Sequence, residues 1–104
     1  MNDSLPGHYL SLIKRHGPAM ELLERFGESV RDDGPLDART AHLIQLAGAA
    51  AVRSEGAVHS HVRRALADGV TPEEIQHTLL LLTSTIGFPT VSAAMSWADD
   101  LLSE

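Results

Sequence analysis

A chain of 104 residues has the length of one domain and, folded alone, buries only about two-thirds of the surface its unfolded form exposes. Fourteen acidic side chains against eight Lys and Arg leave a formal charge of -6, and the basic pair Arg63-Arg64 has no clustered basic or aromatic company, so nucleic acid is not an expected partner. With no cysteine, disulfides, thiolate metal sites and every thiol nucleophile are excluded.

The apolar content is 43%, yet the only aromatics are Tyr9, Phe26, Phe88 and Trp97, so Ala, Leu, Ile and Val must build the core through close contacts. That favours helices over a sandwich. The N-terminal stretch MNDSLPGHYLSLIKRHG carries an early acid and no continuous apolar run, unlike a signal peptide, and no apolar run approaches membrane-spanning length. The expectation is a soluble, cytoplasmic protein with no membrane contact.

In chain order, Tyr9, Leu10, Leu12 and Ile13 mark a short helix over about 8–15, interrupted at Gly17-Pro18. Met20, Leu22, Leu23, Phe26 and Val30 stripe a second, stopped by Asp32-Asp33-Gly34-Pro35. Asp37 caps a third, over about 38–53, whose LIQLAGAAAV segment is apolar around more than half its circumference. Such a helix belongs at the centre, with Gly48 and the alanines letting neighbours approach. A fourth runs over about 55–67 with Val58, His61, Val62, Ala65 and Leu66 inward, and Gly69 follows as its stop.

Thr71-Pro72-Glu73-Glu74 combines a capping hydroxyl, a first-turn proline and two acids at the positive helix end, starting a fifth helix that runs to about residue 85. Its leucines 79–82 point in every direction, and the last helix adds Val91, Ala93, Ala94, Met95, Trp97, Ala98, Leu101 and Leu102. This apolar excess asks for a homo-oligomer. Gly87-Phe88-Pro89 reads as the turn between the two, with Phe88 packed into the core.

From Leu36 to Leu102 the chain resembles the carboxymuconolactone decarboxylase family, whose redox branch is AhpD-like. The match is carried by LDARTAHLIQLA, by HVRRALADGVTPEEI and by GFPTVSAA, in that order and spacing. The resemblance implies an all-α, AhpD-like domain of about six helices, here residues 36–104; the N-terminal helical pair over 1–35 is an addition to it, expected to pack on that core. It also implies a homotrimer or a homohexamer. In the redox branch, Cys-x-x-Cys is followed, after three intervening residues, by a histidine, and a glutamate on the preceding helix relays protons. Those positions read Ser54, Ala57, His61 and His42 here, so a thiol peroxidase is not expected. The lactone decarboxylases are similar to E-x-x-x-H at this point, where the chain has Ala57, and Glu55 lies two residues earlier.

The residues to follow are therefore His61, Glu55 and His42 for catalysis, and Ser54, Ala57, Val58, His59, His77 and Phe88 around the pocket. His61 is either a general acid–base or a buried histidine satisfied by one contact. Glu55 and His59, four apart, either orient an imidazole or form a surface pair. His42 is placed on the polar edge of its helix with Gln45 and Arg53, exchanging protons with His61 or simply solvated. Glu55, His59, His61 and His77 are a loose set of oxygen and nitrogen donors for zinc or another divalent metal, although the side chains of His59 and His61, two apart on a helix, diverge by about 200°. No metal or other cofactor is expected. Two functions remain open: a lyase, decarboxylating or opening a small carboxylate-bearing lactone through His61, and a non-catalytic oligomer that binds a small ligand or a partner.

Overall fold

The computed structural model describes residues 7–102; the first six residues of the segment read for a targeting signal, and the last two of the chain, lie outside them. The described residues contain helices and no strand: α1 (Gly7–Arg15), α2 (Gly17–Asp32), α3 (Ala38–Ala51), α4 (Glu55–Ala67), α5 (Pro72–Leu81), α6 (Thr83–Ile86) and α7 (Phe88–Leu102). The all-α fold expected from the sequence is the fold observed. No helix is long and apolar enough to cross a membrane.

Local chemistry sets the ends. Asp37 accepts from the Thr40 N–H at 2.8 Å and Ser54 from the Ala57 N–H at 3.3 Å, capping α3 and α4. Thr71 and Glu74 close a reciprocal capping box on α5. α4 ends in a paired Gly69 N–H to Leu66 C=O and Val70 N–H to Ala65 C=O arrangement, which requires the left-handed φ of +88° at Gly69. α3 ends in the same way two residues earlier than its apolar pattern suggests, with Arg53 at φ 57° in the position usually given to glycine. The fifth helix is also shorter than read. Leu82 turns to ψ -7°, Thr83 Oγ1 donates to the Leu80 carbonyl at 2.8 Å, and the remainder becomes the single turn α6.

The chain divides after Pro35 into two compact units. In the first, α1 and α2 pack on each other, bury no residue fully, and leave Leu22, Leu23, Phe26 and Val30 of α2 exposed. In the second, α4 packs on α3, α7 and α5. Its core is Leu46, Ala49 and Ala50 of α3, Val58, Val62 and Ala65 of α4, Val70 of the α4–α5 connection, Ile75 and Leu79 of α5, and Ala94 and Ala98 of α7. Small residues from α3, α4 and α7 dominate this list, so the helices meet at close range without aromatic filler.

Two sequence expectations change here. Gly48 is not a packing device, because it stands on the exposed side of α3 with nothing within 4 Å of where a Cβ would be. The apolar surplus of α7 is mostly absorbed inside the unit: Met95, Trp97, Leu101 and Leu102 all pack against the core cluster. The leucine run of α5 is split instead, with Leu79 fully buried and Leu80 and Leu81 at 52% and 62% exposure.

Acid sensitivity follows from the caps. The Thr40 N–H holds the Asp37 carboxyl below its ordinary 3.8, and the Thr71 N–H, joined by the Arg39 guanidinium 2.6 Å away, holds Glu74 below 4.5. A depressed carboxylate stabilises the fold above its unfolded pKa, and that contribution disappears as pH falls through the folded value. Unfolding free energy should therefore decline on acidification from pH 4.5 downward. The double variant D37N/E74Q, which keeps both cap acceptors but cannot titrate, should show a shallower decline in urea melts over that window.

Candidate functional site

α4 is the platform on which most of the flagged residues stand. Val58, Val62 and Ala65 are fully buried and define its inward line. At about 100° per residue, Glu55 and His59 emerge on one flank of that line, while Ala57 and His61 emerge on the other. His61 is partly buried, with Nδ1 wholly shielded from solvent. Ala57 is partly buried and packs on the core; Val58 is core outright. Ser54 precedes the helix, and its hydroxyl is engaged as the cap acceptor, which leaves it a structural role rather than that of a nucleophile.

On the other flank, His59 Nε2 lies 2.9 Å from Asp100 Oδ2 near the end of α7. Glu55 joins them: one ligand-type atom from each of Glu55, His59 and Asp100 lies within 4.8 Å of the other two. Glu55 and His59 do share a face, as their spacing suggests, but Asp100 is the partner that sequence reasoning missed. Only the packing of α7 along α4 brings it there. Glu55 and His61 are separated by about 120° around the helix and about 9 Å along it. His61 and His77 are not in the group; His77 is exposed on α5.

His42 departs furthest from expectation. It is 5% exposed, not on a solvent edge, and its Nε2 sits 2.6 Å from Asp68 Oδ2. The reason is the antiparallel α3–α4 hairpin, which sets the start of α3 beside the end of α4, where Asp68 is the C-cap. Asp68 is seven residues, about 10 Å of helix, from His61. The carboxylate accepts from Nε2–H when the ring is neutral, leaving the Nδ1 lone pair buried and without a hydrogen-bond partner among the described residues. His42 and Asp68 therefore form an oriented imidazole–carboxylate pair at one end of the hairpin, separate from His61. The only sequence hint was that residues 42 and 68 fall opposite each other once the hairpin is drawn.

Phe88 is also corrected. It is the first residue of α7, one turn before the buried Val91, and at 59% exposure it does not enter the core. Gly87, at φ +90°, makes the turn alone. Arg53 crosses from the α3–α4 turn to donate to Thr90 Oγ1 at 2.7 Å, anchoring the start of α7.

Among comparisons with known proteins, the sequence model described as "Carboxymuconolactone decarboxylase family" matches residues 17–100. The match takes in α2, which the motif-based resemblance had left outside the shared core. No curated protein and no solved structure matches the chain.

The buried pair yields a signed prediction. Removing a carboxylate from a helix C-terminus should by itself stabilise by about 0.3–1 kcal/mol. D68A also strands the Nε2–H of an almost fully buried imidazole, at a cost of about 1–3 kcal/mol. Chemical denaturation should therefore show D68A to be destabilised, and the double variant H42L/D68A should recover part of the loss.

Proposed function

The chain belongs to the carboxymuconolactone decarboxylase family, and from that premise we propose that it is a decarboxylase-like enzyme acting on a small carboxylate-bearing lactone, with His61 as the proton-transfer group. The carrying observation is the family match across 84 of 104 residues (17–100), in a chain whose retained family histidine stands mid-helix on α4, partly buried beside the core. A chain without cysteine cannot run the dithiol cycle of the redox branch.

In this reading the substrate lies against α3, α4 and α5. Loss of CO2 breaks one C–C bond and leaves its electron pair on the substrate, delocalised toward the lactone carbonyl. His61, as imidazolium, delivers the proton that quenches the carbanion and recovers it from water. The lactone itself is the electron sink, so no cofactor is needed. Glu55 is assigned no part, because it stands with His59 and Asp100 on the opposite flank. Position 57, one turn before His61, is alanine, so no carboxylate assists from there.

The protein works as a homotrimer or homohexamer in the cytoplasm. Support for assembly comes from the exposed apolar side chains Ile44, Leu80, Leu81 and Phe88 of the larger unit, which water solvates poorly. In sedimentation velocity, L80K/L81K should shift the wild-type oligomer to a smaller species; an unchanged mass, or a monomeric wild type, overturns this assignment.

Turnover is tested with a carboxymuconolactone, following CO2 release. H61A should lower kcat/KM by at least about 100-fold, with a melting temperature close to wild type. Full activity in H61A would remove His61 from the chemistry. Lactone binding without any turnover by the wild type would instead support the non-catalytic binding member.

A further inference from the structure

We propose that Glu55, His59 and Asp100 form a zinc site that clasps the first turns of α4 to the last turn of α7. The three side chains offer one imidazole nitrogen and two carboxylate oxygens, a donor set that zinc accepts at about 2.0–2.2 Å. Tetrahedral placement at that radius sets the donor atoms about 3.3–3.6 Å apart. The observed donors lie within 4.8 Å of one another, and His59 Nε2 to Asp100 Oδ2 is 2.9 Å. Reaching ligand geometry therefore requires rotations of Glu55 and Asp100, both exposed, with Asp100 kept on His59 through the ion instead of by their direct contact. The imidazole favours zinc over magnesium or calcium, which select oxygen-only shells.

The local electrostatics also ask for a cation. Two carboxylates stand within 4.8 Å of each other in a protein already carrying -6. Asp100 lies in the last turn of α7, where the helix dipole disfavours negative charge, and no basic residue in that turn compensates it. His59 Nε2 already lies 2.9 Å from Asp100 Oδ2. A divalent ion would replace the proton at His59 Nε2, neutralise both carboxylates and hold the two helices together. Three protein donors leave a fourth position, on the solvent side, for water or for a carboxylate of a small ligand.

Helical spacing alone does not identify this site. Glu55 and His59 supply two donors one turn apart, but a two-ligand face is common on helices and holds an ion weakly. The third donor comes from 41 residues further along the chain than His59. His61, on the opposite flank of α4, and His77, on α5, are not in the group.

The test uses the intact protein, stripped with a chelator and titrated with zinc chloride by calorimetry and by thermal melting. One zinc per chain should bind, raising the melting temperature by several degrees when zinc is in large excess over its Kd. H59Q and D100N should each weaken binding at least tenfold, E55Q should also weaken it, H77Q should leave it unchanged, and magnesium at the same concentration should not substitute. D100N and E55Q preserve side-chain shape, so each should fold without metal, and the zinc-induced shift is read against each variant's own metal-free melt. No zinc uptake, or uptake unaffected by H59Q and D100N, overturns the site. Loss of binding in H77Q instead of H59Q would place the metal elsewhere and overturn it equally. No activity assay enters the test, so its result is independent of the role given to His61.

Discussion

The larger unit depends on the line of contact Val58–Val62–Ala65 by which α4 is buried. These three side chains are fully removed from solvent against Leu46, Ala49 and Ala50 of α3 and against residues of α5 and α7. Burying a valine contributes about 1.5–3 kcal/mol, so rotating α4 about its axis would forfeit several kcal/mol. That rigidity sets the direction of every polar side chain on the helix. Glu55 and His59 face α7 because the valines face inward, and His61 takes the other flank for the same reason.

The polar contacts between helices gather at helix ends, where backbone groups lack intrahelical partners. Arg39, in the first turn of α3, donates to the Gly69 carbonyl at 2.7 Å and to Glu74 at 2.6 Å, tying α3 to the α4–α5 connection and to the cap of α5. Arg53 reaches Thr90, and His42 reaches Asp68. The exposed Arg39–Glu74 pair is screened by solvent and contributes little. His42–Asp68 matters more because one partner is nearly buried, and an unmatched donor there would lose its hydration without replacement. Together these ties register the hairpin longitudinally, whereas the apolar line registers it rotationally.

For function, the consequence is a separation of roles along one helix. The start of α4 carries a donor cluster shared with α7, its middle carries His61, and its end carries the carboxylate that orients His42. These groups lie close together in sequence, and a linear reading joins His61 to both Glu55 and His42. In three dimensions, about 120° of helix divides His61 from Glu55, and about 10 Å of helix divides it from the Asp68–His42 pair.

Sequence by itself determined the helical class, the caps at Asp37 and Thr71, the buried stripe of α4 and the exclusion of thiol chemistry, because each of these is local: a periodicity, a side chain bonding its own helix end, or a missing residue type. Two helix ends escaped it, at Arg53 and Leu82, where the turn is made by residues with no strong turn preference. The burial of His42, the exposure of Phe88 and Gly48, and the meeting of Asp100 with Glu55 and His59 were decided only by tertiary structure. Each depends on which helix lies alongside which, and at what axial offset. That information is carried by the summed packing of α3, α4, α5 and α7, and no single segment of the sequence contains it.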